Sequence, residues 1–230
     1  MIGRLASLVS GGKDSVYATH LATRGGKEVA YLVTMKSRRE DSWMFHTVNT
    51  HLVPLIGRAL SIETVVAETS GVKEEEICDL AQVLSTLVIE GLVTGAIAST
   101  YQRDRVDRIC GELGLEHIAP LWGRESLGLL REMLSEGMTI MVTAVAARGL
   151  DEMWLGRVLD DNAVEELAAL HRRFGVDVCG EGGEMETLVI DAPWFGSRLE
   201  VVKATTHWDG IRGMYRVEEA RLVAKGIHKG

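Results

Sequence analysis

The sequence predicts an α/β fold, in which helices flank a parallel β-sheet on both faces, followed by a smaller C-terminal α+β domain. The first half alternates short runs of Val, Ile and Leu with amphipathic segments, which is the pattern of repeated strand–helix units. After Gly137 this alternation gives way to one strand, one helix and several further strands. We therefore expect two domains, residues 1–137 and 138–230.

Five apolar runs in the first half predict buried strands. They are short and rich in β-branched residues, as expected for a parallel sheet that is covered on both faces. The five runs are Leu5–Val9, Glu28–Met35, Thr64–Ala67, Leu92–Ala98 and His117–Leu121.

The segments between these runs have helical periodicity. The clearest begins at Lys73, because acidic residues fill its first turn and a glycine follows its end. The predicted helices are Lys13–Thr23, His51–Leu60, Lys73–Glu90, Tyr101–Leu113 and Glu125–Ser135.

The C-terminal part predicts a different order of elements. "MTIMVTAVAARG" has the pattern of a strand, and "NAVEELAALHRRFG" has that of a helix ending at a glycine. Three further strands are predicted at Thr187–Asp191, Leu199–Thr206 and Met214–Val223. The boundary near Gly137 depends on this change of pattern alone, because no Pro- or Ser-rich linker marks it.

Composition narrows the class of protein. The chain of 230 residues has a net charge of −8, which disfavours direct binding of nucleic acid through a basic face. Its three cysteines are far apart, as in proteins of reducing compartments. The longest apolar stretch, Met138–Ala147, is far shorter than the ~20 residues that span a bilayer. With no signal-peptide pattern at its N-terminus, we expect a cytoplasmic protein without a membrane partner.

The turn "SGGKDS", residues 10–15, separates the first predicted strand from the first predicted helix. Gly11 and Gly12 allow unusual backbone conformations and the close approach of a ligand. The following helix N-terminus presents N–H groups and a partial positive charge. These features predict a phosphate-binding turn at the carboxyl end of a strand, where ligands bind in α/β sheets.

The side chains of this turn suit a nucleotide. Lys13 is expected to neutralise phosphate charge, Asp14 to hold Mg²⁺, and Ser10 and Ser15 to donate to phosphate oxygens. The spacing matches neither a Walker A loop nor a GxGxxG fingerprint. It resembles the pyrophosphate loop, or PP-loop, of the adenine nucleotide α-hydrolase fold, which implies cleavage of ATP between the α and β phosphates. An ordinary glycine-rich turn is the alternative.

A second unusual segment, "GEGGEMET", covers residues 180–187. Glu181 and Glu184 bracket Gly182 and Gly183, and Glu186 follows two residues later. If a strand begins near Glu184, that residue and Glu186 share one face of it. Neighbouring carboxylates predict a cation or a shared proton between them, and a solvated acidic turn is the alternative.

"SGGKDS" combined with "GEGGEMET" resembles the diphthine–ammonia ligase family, the diphthamide synthases. The segment "TGAIASTYQRDRVDRICGELGLEHIAPLWGRE" at 94–125 and "MFHTVN" at 44–49 are similar to that family too. The likeness extends from Leu5 to about Phe195. It implies an AMP-forming ligase that uses ATP and ammonium to convert diphthine on translation elongation factor two into diphthamide.

Candidate site residues follow from these motifs. Lys13, Glu184 and Glu186 are the catalytic candidates, with one glutamate accepting a proton from ammonium and the other orienting substrate or metal. The nucleotide candidates outside the turn are Thr34, Met35, Gly95 and Arg105, of which Thr34 and Met35 are implied for adenine by the resemblance. The substrate candidates are Ser99, Tyr101, Gln102, Trp122, Glu181, Gly182, Gly183, Glu184, Glu186 and Thr187.

Aromatic and histidine side chains add further candidates. The trimethylammonium group of diphthine is a cation that an aromatic face attracts, so Trp122, Trp154 and Trp194, with Trp43 behind them, are considered. His46 and His51 are considered as residues that close over the nucleotide. Cys179 is expected to be a buried, inert thiol.

Three other functions remain open at this level. They are an amide ligase for another carboxylate, a PP-loop enzyme that modifies tRNA, and a non-enzymatic adenine-nucleotide sensor. The sequence is also compatible with a homo-oligomer.

Overall fold

The computed structural model describes residues 3–38, 48–72 and 74–226, and it confirms the predicted α/β class. All strand pairs of the first sheet are parallel, and the strand order is β3-β2-β1-β4-β5. Its strands are Arg4–Leu8 (β1), Glu28–Ser37 (β2), Glu63–Thr69 (β3), Gly91–Val93 (β4) and Glu116–Ile118 (β5).

Helices connect successive strands of this sheet. They are Lys13–Arg24 (α1), Val53–Leu60 (α2) after a 3-10 turn at Thr50–Leu52, Glu75–Ser85 (α3) and Thr100–Leu113 (α4).

Parallel strands are joined by right-handed crossovers. The sheet grows from β1 to β3 towards one edge and then from β4 to β5 towards the other, so α1 lies on one face of the sheet and α3 and α4 lie on the other. The core of the α3–α4 face includes Leu80, Leu92 and Ile109, all of which are fully buried. The reversal puts a topological switch point between β1 and β4, where ligands of α/β sheets bind.

The second part of the chain forms an antiparallel sheet with helices, as predicted. Its strand order is β7-β6-β9-β8. The elements are Ser126–Ser135 (α5), Thr139–Val145 (β6), a 3-10 turn at Glu152–Trp154, Asp161–Phe174 (α6), Met185–Asp191 (β7), Ser197–Trp208 (β8) and Gly213–Ala224 (β9).

The chain divides into two compact units between Arg124 and Glu125, earlier than the predicted boundary at Gly137. Leu55–Ser61 also groups with the second unit. Helix α5 is bonded to the rest of this unit at its first residue and near its middle. Arg131 Nη2 lies 2.6 Å from Glu165 Oε1 of α6, and the Ser126 hydroxyl donates to Asp177 at 2.9 Å.

Strand β4 and helix α3 both end earlier than predicted. Strand β4 ends at Val93 rather than Ala98, because the next residues turn against the start of α1. Helix α3 ends at Ser85 rather than Glu90, since the Glu90 amide donates to the Arg4 carbonyl at 2.8 Å and returns the chain to the sheet. Among the described helices, none has the length and apolar character needed to cross a bilayer.

Candidate active site

The turn after β1 has the backbone of an anion site. Gly11 has a φ of 90°, in the left-handed region that favours glycine. Gly12 caps α1 and has no side chain to accept hydrogen bonds from the first turn. The first bond within the helix runs from the Val16 amide to the Gly12 carbonyl at 3.1 Å. The N–H groups that precede it lack acceptors within the helix, so this end of α1 suits a phosphate.

Two serines brace this turn. The Ser15 hydroxyl donates to the Gly12 carbonyl at 3.0 Å and accepts from the Ser10 amide at 3.3 Å. The Ser10 hydroxyl accepts from the Gly12 amide at 3.3 Å. Ser10 is exposed whereas Ser15 is buried, so Ser10 is the better placed of the two to exchange its bond for one to phosphate.

Lys13 and Asp14 form an ion pair beside the turn. Lys13 is only 1% exposed, and its Nζ atom lies 2.8 Å from Asp14 Oδ2. A buried ammonium needs such a partner. Among residues 3–38, 48–72 and 74–226, no cluster of three or more metal-ligating side chains exists. A single carboxylate such as Asp14 still suits Mg²⁺, which commonly takes its other ligands from phosphates and water.

The edge of β2 beyond the end of β1 lies next to this turn. Leu8, the last residue of β1, is paired with Val33, and β2 continues to Ser37 with β3 on its other side. Thr34 and Met35 begin this extension. In this extension of β2, the backbone N–H and C=O groups that point to the β1 side therefore have no described strand opposite them. Such groups could form hydrogen bonds with the edge of a purine base. This is the position that the family resemblance implies for adenine.

Gly95 is packed directly on the phosphate-binding turn. A Cβ atom at Gly95 would lie 2.6 Å from the Asp14 carbonyl carbon and 2.6 Å from the Ser15 amide nitrogen. Glycine is therefore required at this position, because a side chain would collide with the backbone at the start of α1.

Arg105 is held by its neighbours at the start of α4. Its guanidinium lies 3.6 Å from the centre of the Tyr101 ring, and Nη2 is 3.1 Å from Glu74 Oε1. That bond holds the pKa of Glu74 below its usual value, while burial raises the pKa of Tyr101. The Nε atom of Arg105 is buried and has no hydrogen-bond partner among the described residues.

Other candidates have structural contacts. The Ser99 hydroxyl caps α4 by accepting from the Gln102 amide at 3.4 Å. The Arg103 guanidinium lies 4.4 Å from the centre of the Trp122 ring. Trp122 is therefore already paired with a cation, and a trimethylammonium group would have to displace Arg103 from that face.

The remaining aromatic and histidine candidates gain no support from the geometry. Arg157 covers the ring of the buried Trp154 at 4.6 Å. His51 is exposed in the 3-10 turn. Trp43 and His46 lie outside the described residues, and Trp194 is half-buried.

The acidic segment forms a closed turn before β7. This strand begins at Met185, and Glu184 precedes it. The Glu184 carboxylate accepts a hydrogen bond from the Asp177 amide at 2.6 Å. The Glu184 side chain therefore closes the turn, while its carbonyl accepts from the Ala146 amide at 2.9 Å just beyond the end of β6. Glu186 and Thr187 lie in β7, opposite Ala144 and Val142 of β6.

Asp177 is the centre of this turn and is not among the predicted site residues. Its Oδ1 atom accepts from the amides of Cys179 at 2.8 Å and Glu181 at 3.2 Å. Its Oδ2 atom accepts from the Ser126 hydroxyl at 2.9 Å. An aspartate just before a small, glycine-rich segment is the sequence signal of such a turn, because its side chain accepts from following amides.

Glycines and a thiol complete the turn. Gly180, Gly182 and Gly183 have φ values of 77°, 81° and 82°. A Cβ atom at Gly180 would lie 2.4 Å from the Met185 carbonyl oxygen, so this position requires glycine. Cys179 is buried, as expected, and its thiol donates to the Ser126 carbonyl at 3.3 Å.

A cavity of about 520 Å³ lies beside the end of β3, but its charge is wrong for a triphosphate. Four carboxylates line it against one guanidinium, that of Arg38, which is paired with Glu68 at 2.9 Å. The turn after β1 is therefore the better candidate for an anion site in the described part of the first unit. The other acidic lining residues are Glu74, Glu75 and Asp79.

Comparison with known proteins gives a consistent result for both units. The family profile described as diphthamide synthase N-terminal domain matches residues 3–117. The profile described as diphthamide synthase C-terminal domain matches residues 125–223.

Curated relatives carry the name diphthine–ammonia ligase. The human protein is 36% identical over 221 residues, which cover 86% of this chain and 82% of the relative. The zebrafish (Danio rerio) protein is 34% identical, covering 88% of this chain and 87% of the relative. The Schizosaccharomyces pombe protein is 32% identical, covering 85% of this chain and 36% of the relative.

Proposed function

The chain belongs to the diphthamide synthase family, and from this membership we propose that it converts the carboxylate of diphthine into an amide with ATP and ammonium. The observation that carries the proposal is the phosphate-binding turn at the switch point of the parallel sheet, with Gly95 packed against it. The products would be diphthamide, AMP and pyrophosphate.

The first half-reaction is adenylation of the carboxylate. A carboxylate oxygen attacks the α-phosphorus of ATP, the bond to the β-phosphate bridging oxygen breaks, and pyrophosphate leaves. The N–H groups at the start of α1 and the Lys13 ammonium stabilise the negative charge that collects on pyrophosphate. The edge of β2 beyond Val33, where β1 has ended, would receive adenine, and the Arg105 guanidinium would steady the triphosphate or the adenylate.

The second half-reaction needs neutral ammonia as nucleophile. Ammonia attacks the acyl carbon of the adenylate, AMP leaves, and the excess proton must be accepted by a base. Because one Glu184 oxygen accepts from the Asp177 amide, we assign Glu184 to holding the turn and Glu186 to accepting the proton. The acidic residues of this turn also favour the local binding of ammonium.

The remaining partners follow from the same chemistry. Translation elongation factor two carrying diphthine would be the protein substrate. Mg²⁺ would be held by Asp14 with phosphate oxygens, and it would neutralise part of the triphosphate charge. The three free cysteines support a reducing, cytoplasmic location.

A product assay tests the proposal. The protein is mixed with ATP, Mg²⁺, ammonium and diphthine-bearing elongation factor, and both the nucleotides and the mass of the modified histidine are measured. We expect AMP with the mass change of an acid converted to an amide. AMP without that change would move the search to another carboxylate, and ADP or no turnover would contradict adenylation.

Variants separate the two half-reactions. Glu186→Gln should lower amide formation by about 10²-fold or more, because the base is lost. ATP–pyrophosphate exchange, which reports adenylation alone, should stay close to wild type. Equal loss of both activities would contradict the role assigned to Glu186.

A further inference from the structure

We propose that Thr94, His117 and Asp107 form a positioning relay for the nucleotide site, and that the bond between Thr94 and His117 sets ATP affinity. The inference rests on the proposed function, because it concerns the same ATP site. None of these residues needs to touch ATP, since they act through the backbone that precedes Gly95.

The relay is a chain of two short hydrogen bonds. His117 Nε2 lies 2.8 Å from the Thr94 hydroxyl, and His117 Nδ1 lies 2.6 Å from Asp107 Oδ1. The His117 side chain is 7% exposed, and Thr94 is 6% exposed. The inner bond is therefore shielded from water, where a hydrogen bond is strongest and its loss is most costly.

The three residues come from all three elements of one β–α–β unit. Thr94 follows β4, Asp107 lies in α4 and His117 lies in β5. The Thr94 amide also donates to the Ile118 carbonyl at 2.9 Å. Thr94 is thus bonded to β5 through both its backbone and its side chain, which fixes the point where the chain leaves β4.

That point lies directly behind the phosphate-binding turn. Gly95 follows Thr94. It lies so close to the backbone of Asp14 and Ser15 that not even one carbon atom could be added between them. Close packing transmits small displacements rather than absorbing them. A shift of Thr94 would therefore move the first turn of α1, whose N–H groups we assign to phosphate.

Asp107 orients the imidazole from its outer side. A carboxylate beside Nδ1 accepts the Nδ1 proton, so a neutral ring presents Nε2 as the acceptor for the Thr94 hydroxyl. Asp107 is itself positioned by Arg103, whose Nε lies 3.5 Å from Oδ2. Arg103 in turn covers Trp122. This chain of contacts ties the turn after β5 to the strand end beside the nucleotide site.

Two substitutions of His117 remove different halves of the relay. In His117→Asn the side-chain amide lies where Nδ1 was. This variant therefore retains the hydrogen bond to Asp107 and loses the one to Thr94. In His117→Gln the side-chain amide lies where Nε2 was, so this variant retains the hydrogen bond to Thr94. We expect ATP affinity, measured by calorimetry, to fall about 3- to 10-fold in His117→Asn and to stay within about 2-fold in His117→Gln.

Substitutions of Thr94 test the same bond from its other end. Thr94→Val should match the loss in His117→Asn, and Thr94→Ser should restore affinity because it retains the hydroxyl. Thr64→Val is the matched control: the Thr64 hydroxyl, on β3, is buried without a partner among the described residues, so its removal should leave ATP affinity unchanged. Should His117→Asn fail to fold, the Thr94 pair decides alone.

The measurements distinguish this relay from general support of the fold. A merely structural role would lower the thermal midpoint and the active fraction while leaving the ATP dissociation constant unchanged. Wild-type affinity in both His117→Asn and Thr94→Val would overturn the relay and leave the proposed function standing. Absence of ATP binding by the wild-type protein would overturn both.

Discussion

Two glycine-rich turns, residues 10–15 and 177–184, each lead into a regular element, but they differ in what accepts their backbone N–H groups. In the first, Gly12 caps α1 without a side chain, and serines brace the turn. In the second, the amides of Asp177, Cys179 and Glu181 all donate to carboxylates of the turn itself.

Similar glycine content therefore has opposite consequences. The turn after β1 leads into the start of a helix, whose dipole favours an anion, and it contains the buried Lys13 paired with Asp14. The turn before β7 satisfies its own amides with carboxylates and presents negative charge. The identity of the side chains next to the glycines, rather than the glycines, decides which ligand each turn suits.

The largest expected effect is at Gly95. A Gly95→Ala change puts Cβ 2.6 Å from the backbone of Asp14 and Ser15, so the phosphate-binding turn must move. We expect a loss of about 3 kcal/mol in the free energy of unfolding and the loss of measurable ATP binding. Urea denaturation and calorimetry check this. Gly111→Ala in α4, where an added Cβ meets open space, is the control and should stabilise slightly.

Pyrophosphate should distinguish the two turns directly. At about 100 times its dissociation constant, it should stabilise the wild-type protein by about 2.7 kcal/mol, because it binds only the folded state. Lys13→Met should abolish the stabilisation, since the ammonium beside the turn is lost. Glu184→Gln should retain it. A thermal shift lost equally in both variants would contradict the assignment of the anion site to the first turn.

The acidic turn should depend on Asp177. An Asp177→Ala change removes the acceptor for three groups, which should cost about 2 kcal/mol in the free energy of unfolding. Asp209→Ala is the matched comparison, because Asp209 also accepts from two following amides but in an exposed hairpin turn. Its loss, measured in the same urea titration, should be smaller. A larger loss at Asp209 would show that the turn at 177–184 is held by other contacts.

The smallest expected effect concerns the start of α5, where the Glu125 carboxylate accepts hydrogen bonds from backbone amides. The N–H groups of Gly128 and Leu127 hold the pKa of Glu125 below its usual value. A carboxyl with a lowered pKa stabilises the folded state above its unfolded pKa of about 4.3 and loses this contribution as pH falls through the folded pKa. The thermal midpoint of Glu125→Gln should therefore lie below wild type at neutral pH, and the difference should shrink as the pH falls below about 4.3 and vanish below the lowered folded pKa.

The fold followed well from the sequence where the pattern was local. Apolar runs located all five strands of the first sheet, and a glycine marked the end of α6. The predicted boundary at Gly137 lies after α5, whereas the compact units divide before it, because α5 has the same helical pattern whichever unit it packs against. Its bonds to α6 and Asp177 are tertiary contacts that the pattern does not contain.

The sequence by itself determined the composition of the two turns, the strand–helix rhythm and the resemblance of both motifs to one family. These are properties of neighbouring residues, which local backbone preferences and hydrophobic periodicity express directly. Tertiary structure alone decided that Gly95 packs on the phosphate-binding turn, that Glu184 closes a turn around Asp177, and that His117 joins Thr94 to Asp107. Such contacts depend on strand order and on the direction of each side chain, and both are set only when the elements pack together.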